Sequence, residues 1–90
     1  MTDYKQTLGE YRVGISFNPS GNPLVDEIKR KAADLIDLVV KMEGPSGETT
    51  FNQTLLDKAV ETLRLKALAM TAIEEAAMWA VKAATKQERE

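Results

Sequence analysis

The fold of this chain is decided by residues 50–86, TFNQTLLDKAVETLRLKALAMTAIEEAAMWAVKAATK, in which apolar residues recur every seven positions. A heptad repeat of apolar residues is typical of a helix that packs along a seam against another helix. Thr50 and Gln53 form a capping-box pattern, which predicts where this second helix of the chain begins. The seam consists of Leu56, Leu63, Met70, Ala77 and Ala84, with Val60, Ala67 and Val81 at the intermediate steps.

A second set of apolar residues covers another side of the same helix, so that only a narrow strip remains polar. A helix that is apolar around most of its circumference is buried around most of it. One partner helix covers only one side, and small chains commonly gain stability by association. We therefore expect the chain to assemble with copies of itself into a compact homo-oligomer of closed symmetry. The second set is Leu65, Ala69, Ala72, Ile73, Ala76, Ala80 and Ala83, and the polar strip contains Arg64, Thr71, Glu75 and Lys82.

Residues 22–43 are predicted to form the partner helix. Asn22 can cap free amides, and Pro23 suits the first helical position because its missing N–H costs nothing there. Gly44-Pro45 ends the helix, and the short loop of residues 44–49 forces the two helices into an antiparallel hairpin. The apolar stripe of helix one, which steps by three and four residues, is Leu24, Ile28, Ala32, Leu35, Val39 and Met42.

Residues 1–21 are predicted to form an ordered N-terminal arm with room for one helical turn, because turn and breaker residues such as Gly9, Gly14 and Gly21 interrupt them. Helix two is expected over residues 50–86. The chain is thus predicted to be all-α, a single helical-hairpin domain over residues 1–90.

Composition narrows the range of functions. The chain contains no histidine and no cysteine, so the common zinc sites and the Ser-His and Cys-His nucleophile pairs are unavailable. We expect a binding protein that is not an enzyme and that uses no metal or cofactor. The net charge of −2 disfavours duplex DNA or RNA as a partner. No stretch reaches the roughly 20 apolar residues that span a bilayer, so we expect a cytoplasmic protein.

Three cationic or aromatic positions near the N-terminus are candidates for ligand binding. Tyr11 can stack on a nucleobase with Arg12 beside it for a phosphate, although Tyr11 can equally pin the arm to the hairpin. Lys29 belongs to the run Lys29-Arg30-Lys31, and such a run is usually a solvated face. Lys29 nevertheless borders the apolar stripe, where it could point into a cleft and bind phosphate as a point charge.

Helix two contributes further candidates. Arg64 can pair with Glu61 or Glu75 as readily as with an anion, and Thr71 shares its polar strip. Glu74 interrupts the apolar seam, and a carboxylate buried there without a partner would be costly. We favour a structural partner for Glu74 over a bound ligand.

Several of these residues also carry a resemblance to a known family. The pattern Tyr11-Arg12, then Asn22 through Ile28-Lys29, then the run Ala67 to Glu74 continued by Met78 and by residues 80–83, resembles the phage anti-CBASS sponge family. This is the second described family of anti-CBASS proteins, and its helical hairpin is shared with a phage anti-Thoeris sponge. The resemblance spans Tyr11 to Ala84. The chain departs from the family pattern in its longer segment after Arg12 and in having Met70 before Thr71.

The resemblance implies a compact homohexamer that sequesters cyclic oligonucleotide signals of bacterial anti-phage defence in the host cytoplasm, without cleaving them. It implies pockets for cyclic dinucleotides between protomers, contacted by Tyr11 and Lys29. The chemistry of such a ligand adds Arg12, which stands beside Tyr11 and offers a further cation for a phosphate. The resemblance also implies separate pockets for cyclic trinucleotides where three protomers meet, with Arg64 and Thr71 as the candidate contacts. The alternative is a helical adaptor or inhibitor that docks on a host protein through the apolar face of helix two.

Overall fold

A computed structural model describes residues 5–42 and 52–89 of the chain. These residues form three helices and no strand: α1 (Leu8–Val13), α2 (Pro23–Val40) and α3 (Gln53–Ala84). The prediction of an all-helical chain with a hairpin is confirmed for this part of the protein. The assignment of residues 1–90 to one domain stays a prediction.

Contacts at both ends of α2 show that α2 and α3 run antiparallel. At its start, the side-chain amide of Asn22 donates to the carbonyl of Ala84, at the end of α3, over 3.4 Å. Beyond its last turn, the Lys66 ammonium donates to the carbonyl of Met42 over 2.9 Å. Since Lys66 lies in the middle of α3, the N-terminal part of the longer helix extends past the end of α2.

The boundaries of α2 follow from its terminal residues. The Asn22 side chain accepts a hydrogen bond from the amide of Leu24 over 2.9 Å, and Pro23 occupies the first turn, as predicted. The helix ends at Val40 and is capped by Lys41, so the predicted extension to residue 43 is too long. Gly44-Pro45 and the predicted loop 44–49 lie outside the described residues.

The boundaries of α3 differ from the prediction at both ends. Asn52 is the N-cap, and its side chain accepts from the amide of Leu55 over 3.2 Å. The predicted capping box of Thr50 and Gln53 was wrong, because Gln53 is already the first helical residue; Thr50 itself lies outside the described residues. The helix ends at Ala84 with Thr85 as its cap, two residues before the predicted end at residue 86.

The buried face of α2 is rotated from the predicted one, and that of α3 departs from the prediction in its N-terminal half. On α2 the buried apolar residues are Val25, Ala33, Ile36 and Val39. Of the six residues in the predicted stripe only Val39 is buried, and three, including Leu24, are exposed. α1 packs on α2 together with α3, so the face of α2 between its two neighbours is the buried one. On α3 three of the four N-terminal members of the predicted seam are exposed within the chain, whereas Ala77 in its C-terminal half is buried. The exposed members of the two predicted stripes are Leu24, Leu35, Met42, Val60, Leu63 and Ala67.

A large part of α3 remains apolar and exposed after α1 and α2 have packed. Leu68 is 53% exposed and Trp79 is 54% exposed. Exposure on this scale supports the expected self-association, and the oligomeric state itself stays a prediction. No described helix combines the length and the apolar character needed to cross a membrane. The other large apolar side chains exposed on α3 are Leu55, Val60, Leu63, Leu65 and Met78.

Candidate functional site

The short helix α1 carries two of the predicted binding residues, Tyr11 and Arg12. Thr7 caps this helix: its hydroxyl accepts from the amide of Glu10 over 3.1 Å, and the Glu10 carboxylate accepts from the amide of Thr7 over 2.9 Å. Gly14 ends it in the left-handed conformation, with φ of 64°. The ring of Tyr11 is exposed to solvent at 72%, so its face is free to contact a ligand or another protomer.

Arg12 reaches from α1 to the polar strip of α3. Its guanidinium lies 3.5 Å from the hydroxyl of Thr71 and 3.5 Å from a carboxylate oxygen of Glu74. These distances are longer than the 2.7–2.9 Å of a strong charge-assisted hydrogen bond. The structure thus brings Arg12 and Thr71 together and gives Glu74 a partner within its own chain.

Arg12 also lines a cleft between α1, α2 and α3, which we call the arm cleft. Its volume is about 280 Å³. One wall is cationic, with Arg12 and Lys29, and the carboxylate of Glu74 stands beside them. The remaining lining is apolar and consists of Val13, Ala77, Met78 and Val81.

Lys29 is buried at 8% exposure, so the interpretation of a solvated charge run does not hold for this lysine. Its ammonium donates to the carbonyl of Gly14 over 3.0 Å and also to the carbonyl of Phe17. The same ammonium lies 5.4 Å from the centre of the Phe17 ring, within the range of a cation–π contact. Lys29 therefore joins α2 to the segment that follows α1, at the wall of the arm cleft.

Arg64 lies apart from the arm cleft. It is exposed on α3 and pairs with Glu61, with 2.7 Å between its Nε and a carboxylate oxygen. This hydrogen bond raises the pKa of Arg64 above its ordinary value. Arg64 precedes Thr71 by two helical turns, roughly 10 Å along the axis. The two residues predicted to meet a trinucleotide therefore share one strip of α3 without touching within the chain.

Sequence reasoning missed the contacts that hold α1 against α2. The amide of Gly9 donates to the carboxylate of Asp37 over 2.8 Å, and the Glu10 carboxylate pairs with Arg30 over 2.7 Å. Hydrogen bonds to Glu10 and then to Asp34 raise the pKa of Arg30 above its ordinary value. A signal was present, because Thr7 and Glu10 have the spacing of a capping box. That signal locates the start of α1 and says nothing about Arg30.

Comparison with known proteins identifies the family. Residues 10–85 match the model of the family described as Acb2/Tad1, hairpin domain. The matched range begins in α1 and ends just beyond α3, so it includes every candidate binding residue. Comparisons with curated proteins and with solved structures find no significant match to this chain. The chain belongs to the Acb2/Tad1 hairpin family, whose members are phage anti-defence sponges that act by sequestration.

Proposed function

We propose that this protein binds cyclic dinucleotides, and also cyclic trinucleotides, in the cytoplasm of an infected bacterium and sequesters them from anti-phage CBASS signalling without cleaving them. The family match over residues 10–85 carries this proposal. Sequestration requires tight binding and slow release, and it needs no chemical step.

The chemistry of the arm cleft suits a cyclic dinucleotide. Such a ligand presents two bases with aromatic faces and two phosphates. The exposed ring of Tyr11 offers a stacking surface next to the cleft, and stacking of this kind accepts any base. Arg12 and Lys29 bring two positive charges to its wall. The long contacts of Arg12 leave its guanidinium able to turn toward a phosphate.

The size of the arm cleft supports a site that is completed by assembly. At about 280 Å³, the cleft of one chain is at the lower limit of ordinary ligand pockets, which are roughly 300 to 1,000 Å³. A second protomer packed on the exposed apolar face of α3 would add walls to it. We propose a homohexamer, the assembly that the family resemblance implies, with the dinucleotide pockets at the junctions between protomers.

A second pocket type is proposed on the polar strip of α3. Arg64 and Thr71 are both exposed there, on one side of the helix, and three such strips meeting at a symmetry axis would surround a ligand with cations. The Glu61 carboxylate already occupies the guanidinium of Arg64. A trinucleotide phosphate would therefore compete with Glu61 for this residue.

Calorimetric titration with a panel of cyclic di- and trinucleotides tests the proposal. We expect binding with a fixed ratio of ligand to protomer, and heat-released ligand should be chromatographically identical to the input. Recovery of an altered nucleotide would show an enzyme. Absence of binding across the panel, together with a protein that stays monomeric, would favour the alternative of a helical adaptor that docks on a host protein.

Substitution of Tyr11 tests the stacking role. Removing a stacked ring costs about 1–3 kcal/mol, so Tyr11→Ala should weaken dinucleotide binding by about 5- to 150-fold while the oligomer stays intact. Tyr11→Phe keeps the aromatic face and should bind within a few fold of the wild type. Arg64→Ala should leave dinucleotide binding unchanged. Wild-type affinity in Tyr11→Ala would remove Tyr11 from the site.

A further inference from the structure

The placement of α1 cannot come from α1 itself. The helix has six residues, and isolated helices shorter than about 12 residues are marginal in water even with good formers. The ring of Tyr11 is largely exposed, so packing within the chain does not orient it. The direction in which Tyr11 points is therefore set by the contacts that dock α1, most of which are with α2. Arg12 follows the same helix and also meets Thr71 and Glu74 on α3.

The first of these contacts is the close approach of Gly9 in α1 to α2. Gly9 is buried, and a Cβ atom at this position would overlap the carbonyl oxygen of Ala33 on α2. The Gly9 amide donates to the carboxylate of Asp37 over 2.8 Å. Since the first amides of a helix have no partner within it, this carboxylate both satisfies a free donor and ties the start of α1 to α2.

The second contact is an ion pair next to Tyr11 in the chain. Glu10 is 7% exposed, and its carboxylate lies 2.7 Å from the guanidinium of Arg30. The other carboxylate oxygen accepts from the amide of Thr7 over 2.9 Å. Arg30 is also held by Asp34 over 2.8 Å, one turn further along α2. A buried carboxylate with a partner on each oxygen has little freedom to move. The helix that carries it is therefore held in place as well.

The residues of α2 that make these contacts form one surface. Arg30, Ala33 and Asp37 are spaced by three and four positions, which places them on the same side of a helix. Lys29 adjoins them and holds the carbonyls of Gly14 and Phe17, just after α1 ends. We call Lys29, Arg30, Ala33 and Asp37 the α1 cradle. These residues contact the chain on both sides of the pair Tyr11-Arg12.

We propose that Glu10 and Arg30 are positioning residues for ligand capture, whose ion pair sets the direction of Tyr11 and Arg12 at the arm cleft. This inference rests on the proposed function of that cleft. Neither Glu10 nor Arg30 needs to touch the ligand. A placed α1 loses less conformational freedom when the ligand arrives, and this preorganisation appears as tighter binding.

The test compares two variants with a matched control. Arg30→Met removes the charge and keeps the aliphatic stem, whereas Glu10→Gln removes the charge and keeps an oxygen that can accept from Thr7. Asp34→Asn removes the other carboxylate on Arg30, which is exposed, and is the control. Each is titrated with cyclic di-AMP, cyclic di-GMP and 3′,3′-cyclic GMP-AMP. We expect both variants to weaken the tightest wild-type interaction at least tenfold and the control to stay within twofold.

A second measurement separates positioning from a general loss of stability. In a Tyr11→Ala background, Arg30→Met should weaken binding by a clearly smaller factor than in the wild type, because one of the two residues that it positions is already gone. Amide hydrogen exchange of the ligand-free Arg30→Met protein should be at least tenfold faster at Tyr11 and Ile15, with α3 unchanged. If Arg30→Met does not fold, the same two measurements are made on Glu10→Gln.

Three outcomes would overturn the inference. Wild-type affinity in both variants would show that the ion pair does not position the site. An equal loss of affinity in the wild-type and Tyr11→Ala backgrounds would show a role unrelated to Tyr11. If the wild-type protein binds no member of the panel, the proposed function fails first and the inference fails with it.

Discussion

The two sides of this hairpin are built from opposite kinds of surface. Where α1 meets α2, the contacts are polar and directional, and two charged side chains, Glu10 and Lys29, are buried with partners from the same chain. Across α3, the exposed surface is apolar and offers few directional contacts, as Leu68 and Trp79 illustrate. The first surface is completed by one chain, whereas the second is the one that we propose other copies cover.

The difference shows how one small protein uses separate surfaces to position its binding residues and to stabilise its fold. An ion pair that buries a carboxylate, as Glu10–Arg30 does, contributes little net stability because desolvation offsets the attraction. Its directional hydrogen bonds nevertheless define how the two helices meet. Apolar burial is non-directional but favourable at roughly 25 cal/mol per Å². The polar junction therefore suits the fine placement of Tyr11 and Arg12, and the apolar face of α3 suits the driving force of assembly.

The largest effect is expected from a charge on the apolar side of this comparison. Leu68→Glu should dissociate the proposed oligomer, because an unpaired carboxylate in an apolar interface is strongly unfavourable. Light scattering should then report a single protomer and ligand binding should be lost. Gln87→Glu adds the same charge beyond the end of α3 and should leave the assembly whole. An assembly of unchanged mass in Leu68→Glu would show that this face is not an interface.

A smaller effect is expected on the polar side, where α1 approaches α2. Gly9→Ala should destabilise the protein by about 1–3 kcal/mol, the usual range for overpacking, and should speed amide exchange throughout α1. Gly21 also has a positive φ of 68°, but a Cβ there would meet open space. Gly21→Ala should therefore cost about 1 kcal/mol of backbone strain and leave α1 protected. Slow exchange of α1 in Gly9→Ala would contradict the docking described above.

Lys29 offers a third test, of the bond between α2 and the segment after α1. Lys29→Met keeps the apolar stem but leaves the carbonyls of Gly14 and Phe17 without this donor, which should lower the free energy of unfolding by about 2 kcal/mol. Urea titration measures the change. Lys31→Met, at an exposed position two residues along, should leave the unfolding midpoint unchanged. Equal midpoints for the two variants would show that burial gives Lys29 no special role.

The smallest effect on stability is expected at Arg64, which belongs to neither side of the comparison. Its pair with Glu61 is exposed, and surface pairs of this kind contribute little. Arg64→Ala should leave the thermal midpoint and the oligomer unchanged while weakening trinucleotide binding. Glu61→Ala, which frees Arg64, should strengthen that binding. Trinucleotide affinity that is the same in both variants as in the wild type would place the second pocket elsewhere.

Sequence patterns predicted the helices better than their faces. The N-cap at Asn22 and the first turn of α2 at Pro23 could be predicted from the sequence, because local hydrogen bonding and the geometry of proline determine them. The buried face of α2 could not be predicted from the sequence, because apolar residues such as Leu24 and Ile36 occur around much of this helix. Which of them becomes core depends on where α1 and α3 pack. The same ambiguity misplaced the N-terminal half of the predicted seam of α3, whereas Ala77 in its C-terminal half is buried.

For the candidate site, too, the sequence predicted some features and not others. Sequence patterns singled out Tyr11, Arg12 and Lys29 by residue type and by family resemblance. Their arrangement was beyond those patterns, since the meeting of Arg12 with Thr71 joins residues 59 positions apart. The partner of Glu10 was equally hidden, because Arg30 lies in a run of three basic residues that look alike in the sequence.

By itself, the sequence determined that this protein is helical, where its long helices lie, that α3 carries more apolar surface than one partner helix covers, and that no histidine or cysteine is present for catalysis. These properties depend on composition and on neighbours within a few residues. Only the tertiary structure decided that Lys29 is buried, that Glu10 meets Arg30 and that Arg12 reaches α3. Such contacts join distant parts of the chain, and their geometry exists only once the helices have packed.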